Sequence, residues 1–346
     1  MKVLIVKTSS LGDVLHTLPA LTDALHTVPG IRFDWLVEEA FAEIPAWHPA
    51  VDTAIPVALR RWRKRPWEAI SRGEWLRFRR DLRERHYDKI IDAQGLIKSA
   101  LLTCMARGPR YGLDRNSARE PWSALAYQHR YPVPQQQHAI ERVRQLFAAA
   151  LDYSMPHGGL DYGITRQQFL QHTSTGNDIV LLHGTSWPSK QWPRPYWMRL
   201  AQLANAAGLG VSLPWGNAAE RDDAQAIAET CENARVLPKL NLTELASVLT
   251  SARAVIGVDT GLAHLAAALS VPTLTLYGAT RPELTGTRGK FQAHLSAEFI
   301  CSPCLARHCV YQELSEFKPA CYQTMGPEKV WNAVTELMGL RTKAML

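Results

Sequence analysis

The sequence contains no long hydrophobic segment. None of its apolar runs approaches the ~20 residues that a membrane-spanning helix requires. The first residues enter a strand directly, without the long apolar segment and small-residue cleavage site of a signal peptide. With 346 residues, 46% of them hydrophobic and 21% charged, the composition is that of a globular protein with room for two domains. We expect such a protein to stay in the cytoplasm.

Two groups of recognition motifs are also missing. The loop after the first strand contains one glycine, Gly12, instead of the Gly-x-Gly-x-x-Gly of nicotinamide enzymes, which argues against an oxidoreductase. No zinc-finger or RNA-recognition motif is present, which argues against a nucleic-acid-binding protein. That second class stays an alternative because the chain is basic, with a net charge of +7.

The six cysteines do not indicate disulfides, because a reducing compartment disfavours them. Four of them cluster near the end of the chain: Cys301, Cys304, Cys309 and Cys321. The first two, Cys301 and Cys304, have the Cys-x-x-Cys spacing, which could hold zinc. The later spacing is irregular, so reduced, packed cysteines are our preferred interpretation.

The positive charge is concentrated in one segment. Residues 60–65 read Arg-Arg-Trp-Arg-Lys-Arg, five cations around Trp62 with no acid between them. Pro66 follows and indicates a loop or a helix entry. Acidic residues interrupt the arginines of residues 72–85, which we interpret as a solvated helix face. For residues 60–65 we predict an anionic partner, with nucleic acid, an anionic membrane and plain solvation as the alternatives.

Predicted strands alternate with predicted helices, a pattern typical of parallel α/β sheets. The strands of the first half are residues 2–7, 33–37, 53–57 and 89–92, and those of the second half are residues 179–183, 211–214, 236–237, 254–258 and 273–277. An apolar stripe predicts a helix over residues 139–151. The polar residues 153–175 contain the predicted linker.

These elements predict two doubly wound domains that face a central cleft, the preferred place for a ligand. The first domain covers residues 1–165 and the second covers residues 166–326. A last helix within residues 327–346 completes the chain, and its return to the first domain is left open by the sequence.

The first predicted strand ends in a loop and a helix that carry a carboxylate. Residues 7–13 read Lys-Thr-Ser-Ser-Leu-Gly-Asp, which brings Asp13 to the carboxyl end of the strand. Ligands of doubly wound sheets bind at this edge, where helix N-termini offer free N–H groups. Asp13 is therefore the first candidate for chemistry.

Three strand ends of the second half carry polar residues. The loop of residues 183–192 supplies hydroxyls and Lys190, which suits a phosphate but could also face solvent. Residues 258–264, Val-Asp-Thr-Gly-Leu-Ala-His, join a strand to a helix whose amides can bind a diphosphate. Asp259 could alternatively cap that helix, and His264 could be a core histidine. Glu220 follows a third strand and could be an ordinary first-turn acid.

These segments, in this order, resemble glycosyltransferase family 9, the heptosyltransferases. The resemblance rests on residues 3–21, 33–39, 60–64, 92–99, 118–121 and 258–262, and it extends from residue 1 to about residue 290. Each segment alone is weakly specific. Their ordered combination is specific.

The resemblance implies an α/β fold of the GT-B type, with two Rossmann-like doubly wound domains facing a central cleft. It implies an inverting glycosyltransferase that moves L-glycero-D-manno-heptose from ADP-heptose to a Kdo residue of Kdo-lipid A in lipopolysaccharide inner-core biosynthesis. Addition to an existing core heptose is the alternative within the family. No cofactor or metal is implied, since no Asp-x-Asp pair suits Mg²⁺ on a diphosphate.

The resemblance also assigns roles to positions of this sequence. Asp13 matches the catalytic base, and Lys190 compensates the charge of the departing ADP. The donor positions are Thr185, Ser186, Lys190, Glu220, Asp259, Thr260, Gly261 and His264. The acceptor positions are Ser10, Gly12, Arg60, Arg61, Arg63, Lys64, Gln94, Lys98 and Arg119.

The implied partners are ADP-L-glycero-β-D-manno-heptose and Kdo-lipid A, with neither a nucleic acid nor an obligatory protein partner. Because the acceptor lies in a membrane, a peripheral attachment to the cytoplasmic face of the inner membrane is expected, without a transmembrane segment. Arginine forks suit the carboxylates of Kdo and the phosphates of lipid A. Trp62 could enter the lipid interface or could pack against protein.

Overall fold

A computed structural model of the chain describes residues 1–170 and 176–344. The end of the predicted linker, residues 171–175, and the last two residues of the chain lie outside the described residues. The chain divides into two compact units, Met1–Ile164 and Thr165–Leu346. Among the described residues, no helix is both long enough and apolar enough to cross a membrane.

The first unit is built on six parallel strands. They are β1 (Lys2–Val6), β2 (Arg32–Glu38), β3 (Val51–Val57), β4 (Lys89–Asp92), β5 (Arg110–Leu113) and β6 (His129–Tyr131). Their spatial order is β3-β2-β1-β4-β5-β6, the order of a Rossmann sheet. In such a sheet the connections diverge after β1 and β4, and the crevice between their carboxyl ends is the usual binding place.

Eight helices surround this sheet in the described residues. They are α1 (Leu11–Leu15), α2 (Leu18–Thr27), α3 (Glu43–Trp47), α4 (Leu59–Lys64), α5 (Pro66–Ser71), α6 (Glu74–Glu84), α7 (Ile97–Met105) and α8 (Ala139–Leu151). Short 3-10 helices cover Glu39–Phe41 and Pro121–Ala126. Helix α8 has the predicted bounds.

Two prolines lie at the starts of helices. Pro19 lies in the first turn of α2, where its missing N–H costs nothing, so the helical stretch after β1 is divided into α1 and α2. Pro66 likewise begins α5. The basic segment was expected as a loop or helix entry, but most of it forms the short helix α4, which ends at Lys64.

The second unit repeats the strand order of the first. Its six parallel strands are β7 (Asp178–Leu182), β8 (Gly210–Leu213), β9 (Ala234–Val236), β10 (Ala254–Val258), β11 (Thr273–Tyr277) and β12 (Gln292–Ser296). Their spatial order is β12-β11-β10-β7-β8-β9. Counted from β7, this is again the Rossmann order, and its crevice lies at the carboxyl ends of β7 and β10.

Six helices accompany this second sheet in the described residues. They are α9 (Arg194–Ala206), α10 (Ala218–Ala228), α11 (Leu242–Ser251), α12 (Gly261–Ala268), α13 (Pro282–Thr285) and α14 (Pro327–Ala344). Short 3-10 helices cover Arg166–Gln168, Pro188–Lys190 and Ala320–Thr324. Helix α14 packs against α9, β11 and β12 of its own unit.

Helix α11 begins with a capping box. The Asn241 side chain accepts the N–H of Glu244 at 2.8 Å, and the Glu244 carboxylate accepts the N–H of Asn241, also at 2.8 Å. Each side chain satisfies an N–H group that the first helical turn leaves without a partner.

Asp92 fixes the turn that follows β4. Its Oδ1 accepts the N–H groups of Gln94 at 2.8 Å and Gly95 at 3.1 Å, and its Oδ2 accepts the Tyr127 hydroxyl at 2.7 Å. Gly95 has a φ of +66°, a left-handed conformation that favours glycine. The Tyr127 ring lies over Gly112, where a Cβ atom would come within 2.4 Å of the ring. The turn is therefore held by the neighbouring strand β5 as well.

We predict that Tyr127→Phe weakens the centre of the first sheet. Removing the hydroxyl leaves a buried carboxylate oxygen without its donor, which costs about 1–3 kcal/mol. Hydrogen exchange of the β4 and β5 amides should accelerate by roughly one order of magnitude or more. Tyr131→Phe is the matched control, since the Tyr131 hydroxyl makes no hydrogen bond within the described residues. Equal exchange in the two variants would contradict this role of Tyr127.

Candidate active site

Asp13 is held in one orientation by the residue that precedes its helix. Its Oδ2 accepts the Ser10 N–H at 2.6 Å and the Ser10 hydroxyl at 2.8 Å. Asp13 is half-buried in the first turn of α1, and the adjacent Gly12 is buried. Both bonds end on Oδ2, so the other carboxylate oxygen, Oδ1, accepts neither of the Ser10 donors.

Gln94 joins the loops after β1 and β4. Its Oε1 accepts the Thr8 N–H at 2.7 Å and the Thr8 hydroxyl at 2.8 Å. Its Nε2 donates to the Ser9 hydroxyl at 3.4 Å, and Lys98 donates to the same hydroxyl at 3.2 Å. Two predicted acceptor positions, Gln94 and Lys98, therefore lie beside the loop that leads to Asp13.

Lys7 is a charged residue at this edge that the sequence analysis missed. It is 8% exposed, and its ammonium donates to the Ala93 carbonyl at 2.9 Å. Burial lowers the pKa of Lys7, while the charges of Asp13 and Asp92 act in the opposite direction. In the sequence, Lys7 resembles an ordinary last residue of an apolar strand. The one signal for a role in the site is its position two residues before Ser9.

Glu38 is a second missed group, at the carboxyl end of β2. It is buried, and its carboxylate accepts the N–H of Arg60 at 3.0 Å. Burial raises the pKa of Glu38, whereas the charges of Arg60 and Lys98 lower it. Glu38 therefore lies among the predicted acceptor cations.

The cations of the basic segment are not equivalent. Arg61 forms ion pairs with Glu39 at 3.2 Å and Glu74 at 2.7 Å, and its hydrogen bonds to them raise its pKa. Arg60 lies 5.0 Å from the centre of the Phe41 ring. Within the described residues, two exposed cations of α4 and one in the loop before the second 3-10 helix have no carboxylate partner: Arg63, Lys64 and Arg119.

Trp62 packs against protein. Its Nε1 donates to Glu74 at 2.9 Å, and its ring makes edge contacts with Trp75 at 5.4 Å and Phe78 at 5.6 Å. Of the two alternatives for this residue, the structure supports packing. Arg61 and Trp62 together attach α4 to α6 through Glu74.

In the second unit, Asp259 is the centre of a buried polar cluster. Its Oδ2 accepts the Lys190 ammonium at 2.7 Å and the Thr280 hydroxyl at 2.6 Å. The His264 Nε2 lies 3.7 Å from its Oδ1. Lys190 also lies 4.8 Å from the centre of the Trp187 ring. Three predicted donor positions, Lys190, Asp259 and His264, thus meet at the carboxyl ends of β7 and β10.

The electrostatics of this cluster keep Asp259 negatively charged. Burial alone would raise the pKa of its carboxyl group. The neighbouring His264 ring and Lys190 ammonium outweigh burial and hold the pKa well below its usual range. Asp259 therefore fixes the position of the Lys190 cation at any ordinary pH.

Glu220 belongs to a second group at the same edge. Its carboxylate accepts the Gly216 N–H at 2.7 Å, and its carbonyl accepts the His183 ring Nε2–H at 2.9 Å. A Cβ atom at Gly184 would come within 2.6 Å of the Glu220 carboxylate. The loops after β7 and β8 therefore meet at Glu220, and a side chain at position 184 would displace its carboxylate.

The remaining donor positions lie in the loops between these groups. Thr185 and Ser186 follow Gly184, and their hydroxyls make no hydrogen bond within residues 1–170 and 176–344. Thr260 is the N-cap residue of α12, and Gly261 is the first residue of that helix. As in any helix N-terminus, the first amides of this helix have no intrahelical acceptor and are able to bind an anion.

Comparison with known proteins gives consistent matches. The profile of glycosyltransferase family 9 (heptosyltransferase) matches residues 75–315. A lipopolysaccharide heptosyltransferase 1 of Pseudomonas aeruginosa is 54% identical over 340 residues, covering 95% of this chain and 96% of that protein. The solved structure of the E. coli heptosyltransferase WaaC with ADP has a TM-score of 0.87 and 44% identity, covering 97% of this chain and 100% of that chain.

These matches and the two Rossmann-type units define a GT-B glycosyltransferase. The chain belongs to glycosyltransferase family 9, the heptosyltransferases. The predicted fold class and enzyme class are confirmed, and these matches favour the glycosyltransferase over the nucleic-acid-binding alternative. Lipopolysaccharide heptosyltransferase 2 of E. coli is only 26% identical over 309 residues, covering 82% of this chain and 85% of that protein. Similarity therefore favours the type 1 enzymes over the type 2 alternative.

We predict that Lys190→Met destabilises the second unit by about 1–3 kcal/mol. The buried Asp259 charge loses its cation but keeps Thr280 and His264, so the cost stays below that of an unpaired ion. A carboxyl with a lowered folded pKa contributes stability above its unfolded pKa of ~3.9 and loses it as the pH falls toward the folded value. The difference between wild type and variant is therefore largest at neutral pH and shrinks below about pH 4.

Hydrogen exchange of the β10 amides measures this effect. Lys239→Met is the control, because Lys239 is exposed and has no charged partner within the described residues. Equal protection of β10 in the two variants at pH 7 would show that Asp259 does not depend on Lys190.

Proposed function

We propose that this chain transfers L-glycero-D-manno-heptose from ADP-heptose to a Kdo residue of Kdo-lipid A, with inversion at the anomeric carbon. The observation that carries this proposal is the fixed orientation of Asp13 at the end of β1, in a chain that matches type 1 heptosyltransferases over nearly its whole length. The first unit binds the acceptor and the second binds the donor. The enzyme works as a peripheral protein at the cytoplasmic face of the inner membrane.

Asp13 is the general base of this reaction. An inverting transfer is one displacement, in which the Kdo hydroxyl oxygen bonds to the anomeric carbon while the bond from that carbon to ADP breaks. The hydroxyl proton passes to Asp13, whose Oδ1 is turned away from both Ser10 bonds. The hydroxyl becomes more acidic as its new bond forms, so a carboxylate is sufficient as the base.

Lys190 and the first turn of α12 stabilise the departing ADP. Negative charge develops on the diphosphate as the bond breaks, and a cation and helix amides fixed beforehand offset it without reorganisation. Asp259 holds Lys190 at 2.7 Å and thereby positions it for the phosphates. Thr185, Ser186 and Thr260 supply further hydrogen bonds to the phosphates, while Glu220 and His264 contact donor hydroxyls.

The acceptor is held by cations whose side chains form no ion pair with a carboxylate within the described residues. Arg60, Arg63, Lys64, Lys98 and Arg119 bind the carboxylate of Kdo and the phosphates of lipid A, for which arginine offers two parallel donors. Ser10, Gly12 and Gln94 shape the loop beside the reacting hydroxyl. Arg61 contributes by attaching α4 to its neighbours, since its own charge is already engaged by Glu39 and Glu74.

Product analysis by mass spectrometry tests the substrates directly. We expect the purified protein to add one heptose from ADP-heptose to Kdo-lipid A and none to heptosyl-Kdo-lipid A. Addition only to the heptosylated lipid would assign the type 2 reaction instead. ADP-heptose binding without transfer to either lipid would refute the proposed acceptor.

Asp13→Asn should abolish turnover and leave donor binding intact. The amide keeps the size of the side chain but cannot accept the proton, and the loss of a general base costs about 10²–10⁴-fold in rate. Single-turnover transfer and calorimetric ADP binding separate the two effects. Asp52→Asn, at an exposed position of the edge strand β3, is the control and should retain the wild-type rate. A rate for Asp13→Asn within a few-fold of wild type would remove Asp13 from the role of base.

A further inference from the structure

The first unit exposes a group of large apolar side chains that the proposed reaction does not use. They lie on α7 and on the 3-10 helix Pro121–Ala126, two elements that pack against each other. We call them the α7 surface: Ile97, Leu101, Trp122 and Leu125, which are 45%, 63%, 63% and 69% exposed. The N–H of Ile97 donates to Glu120 at 2.7 Å, which fixes the two elements together.

This exposure is unusual for a helix of a globular protein. The inner face of α7 is buried through Ser99, Ala100, Leu102 and Thr103. The outer face would normally be polar, yet Ile97 and Leu101 are one turn apart on it. Single exposed apolar residues are common, whereas adjoining ones mark interaction sites.

Cations surround the α7 surface. Lys98, Arg115, Arg119 and Arg130 are all exposed, and within the described residues none of them forms an ion pair with a carboxylate. The Arg115 guanidinium lies 5.1 Å from the centre of the Trp122 ring. Together with Arg130 and Leu125, these two residues line a pocket of about 320 Å³.

Two nearby carboxylates, Asp114 and Glu120, offset only part of these four positive charges. Asp114 accepts the backbone N–H groups of Asn116 and Ser117, and Glu120 accepts the N–H of Ile97. Both acids are engaged by backbone donors at the base of the loops. An apolar face with a cationic rim matches the chemistry of an anionic bilayer, whose phosphates and acyl chains lie in adjoining layers.

The α7 surface is continuous with the proposed acceptor site. Helix α7 begins three residues after Gln94, and Lys98 of its first turn donates to Ser9 in the loop before Asp13. The apolar residues of the α7 surface and the loop before Asp13 therefore lie next to each other at the same edge of the sheet. An enzyme that reaches a sugar on a membrane lipid needs this proximity, because the acyl chains of the acceptor stay in the bilayer.

We propose that the α7 surface docks the protein on an anionic lipid bilayer. Its four apolar side chains enter the boundary between headgroups and acyl chains, and the four cations contact lipid phosphates. The reason for docking, which is access to a lipid acceptor, rests on the proposed function. The docking itself does not. A symmetric dimer through the same surface is disfavoured, since its cationic rim would face an identical rim.

Vesicle flotation without any acceptor tests docking by itself. Wild-type protein should float with vesicles of phosphatidylcholine containing about one-third phosphatidylglycerol, and less with phosphatidylcholine alone. Leu101→Gln combined with Leu125→Gln should weaken partitioning about tenfold. Arg115→Gln combined with Arg130→Gln should remove the preference for the anionic vesicles and its salt dependence.

The control replaces two apolar residues of the second unit that are even more exposed. Ile300 and Leu314 are 91% and 103% exposed, and Ile300→Gln combined with Leu314→Gln should float as wild type does. Equal losses in control and test variants, or no flotation of the wild type, would refute the docking surface. A concentration-dependent dimer in sedimentation that the Leu101 and Leu125 changes abolish would assign the surface to a second copy instead.

A kinetic comparison separates docking from catalysis. With Kdo-lipid A in vesicles, the Leu101→Gln and Leu125→Gln variant should show an apparent KM about tenfold higher. With a deacylated, water-soluble acceptor, its kcat and KM should equal those of the wild type. Losses on both acceptors would place the surface in the acceptor site and refute docking. Wild-type protein that floats but transfers heptose to neither acceptor would refute the proposed function and leave docking intact.

Discussion

The strand order of each sheet is the constraint on which the rest of the structure depends. In both units the chain leaves two central strands in opposite directions, so that their carboxyl ends stay uncovered by crossing connections. Asp13 and Gln94 follow β1 and β4, and Lys190 and Asp259 follow β7 and β10. Polar groups that are 69 residues or more apart in the sequence, such as Lys190 and Asp259, meet because of this order.

Charges at these edges are held by other charges and by backbone donors. Asp13 is oriented by Ser10, Asp92 by the turn that it anchors, and Asp259 by Lys190 with Thr280. Each arrangement fixes a side chain before any ligand arrives, and preorganised groups of this kind are the ones that stabilise charge during a reaction. The arginine-rich helix α4 follows the same rule, since Arg61 engages two carboxylates and leaves its neighbours accessible.

Much of the fold was predictable because its central strands are continuous apolar runs. The elements that the sequence pattern missed are short or at the sheet edge. Strand β5 has four residues and contains Gly112, β6 has three, and β12 alternates half-buried with exposed positions. Such strands are defined by pairing with a neighbour, which a pattern of hydrophobicity does not record. The conformation of the basic segment was also predicted incorrectly. Pro66 begins α5, but it does not prevent the preceding residues from forming α4.

The location of the candidate residues at the sheet edges was predictable where a motif and a strand end coincide, as at Asp13, Lys190 and Asp259. Lys7, Glu38 and Thr280 were not predicted, because each reads as an ordinary strand or loop residue and acquires its role only through burial beside a distant partner. Arg61 shows the converse: its sequence context groups it with its neighbours, but its ion pairs separate it from them. The roles of these residues in the reaction stay proposals.

Each sheet consists of strands from one half of the chain only. This arrangement has a consequence for how the protein is synthesised. All six strands of the first sheet lie before residue 132, so every strand of this sheet has its neighbouring strands while the second unit is still unmade. At translation rates of about 5–20 residues per second, the remaining chain takes roughly 10–40 s to synthesise. During that time the nascent first unit can fold on the ribosome, and its exposed Leu101 and Trp122 are then available to chaperones or to a nearby lipid surface before the enzyme is complete.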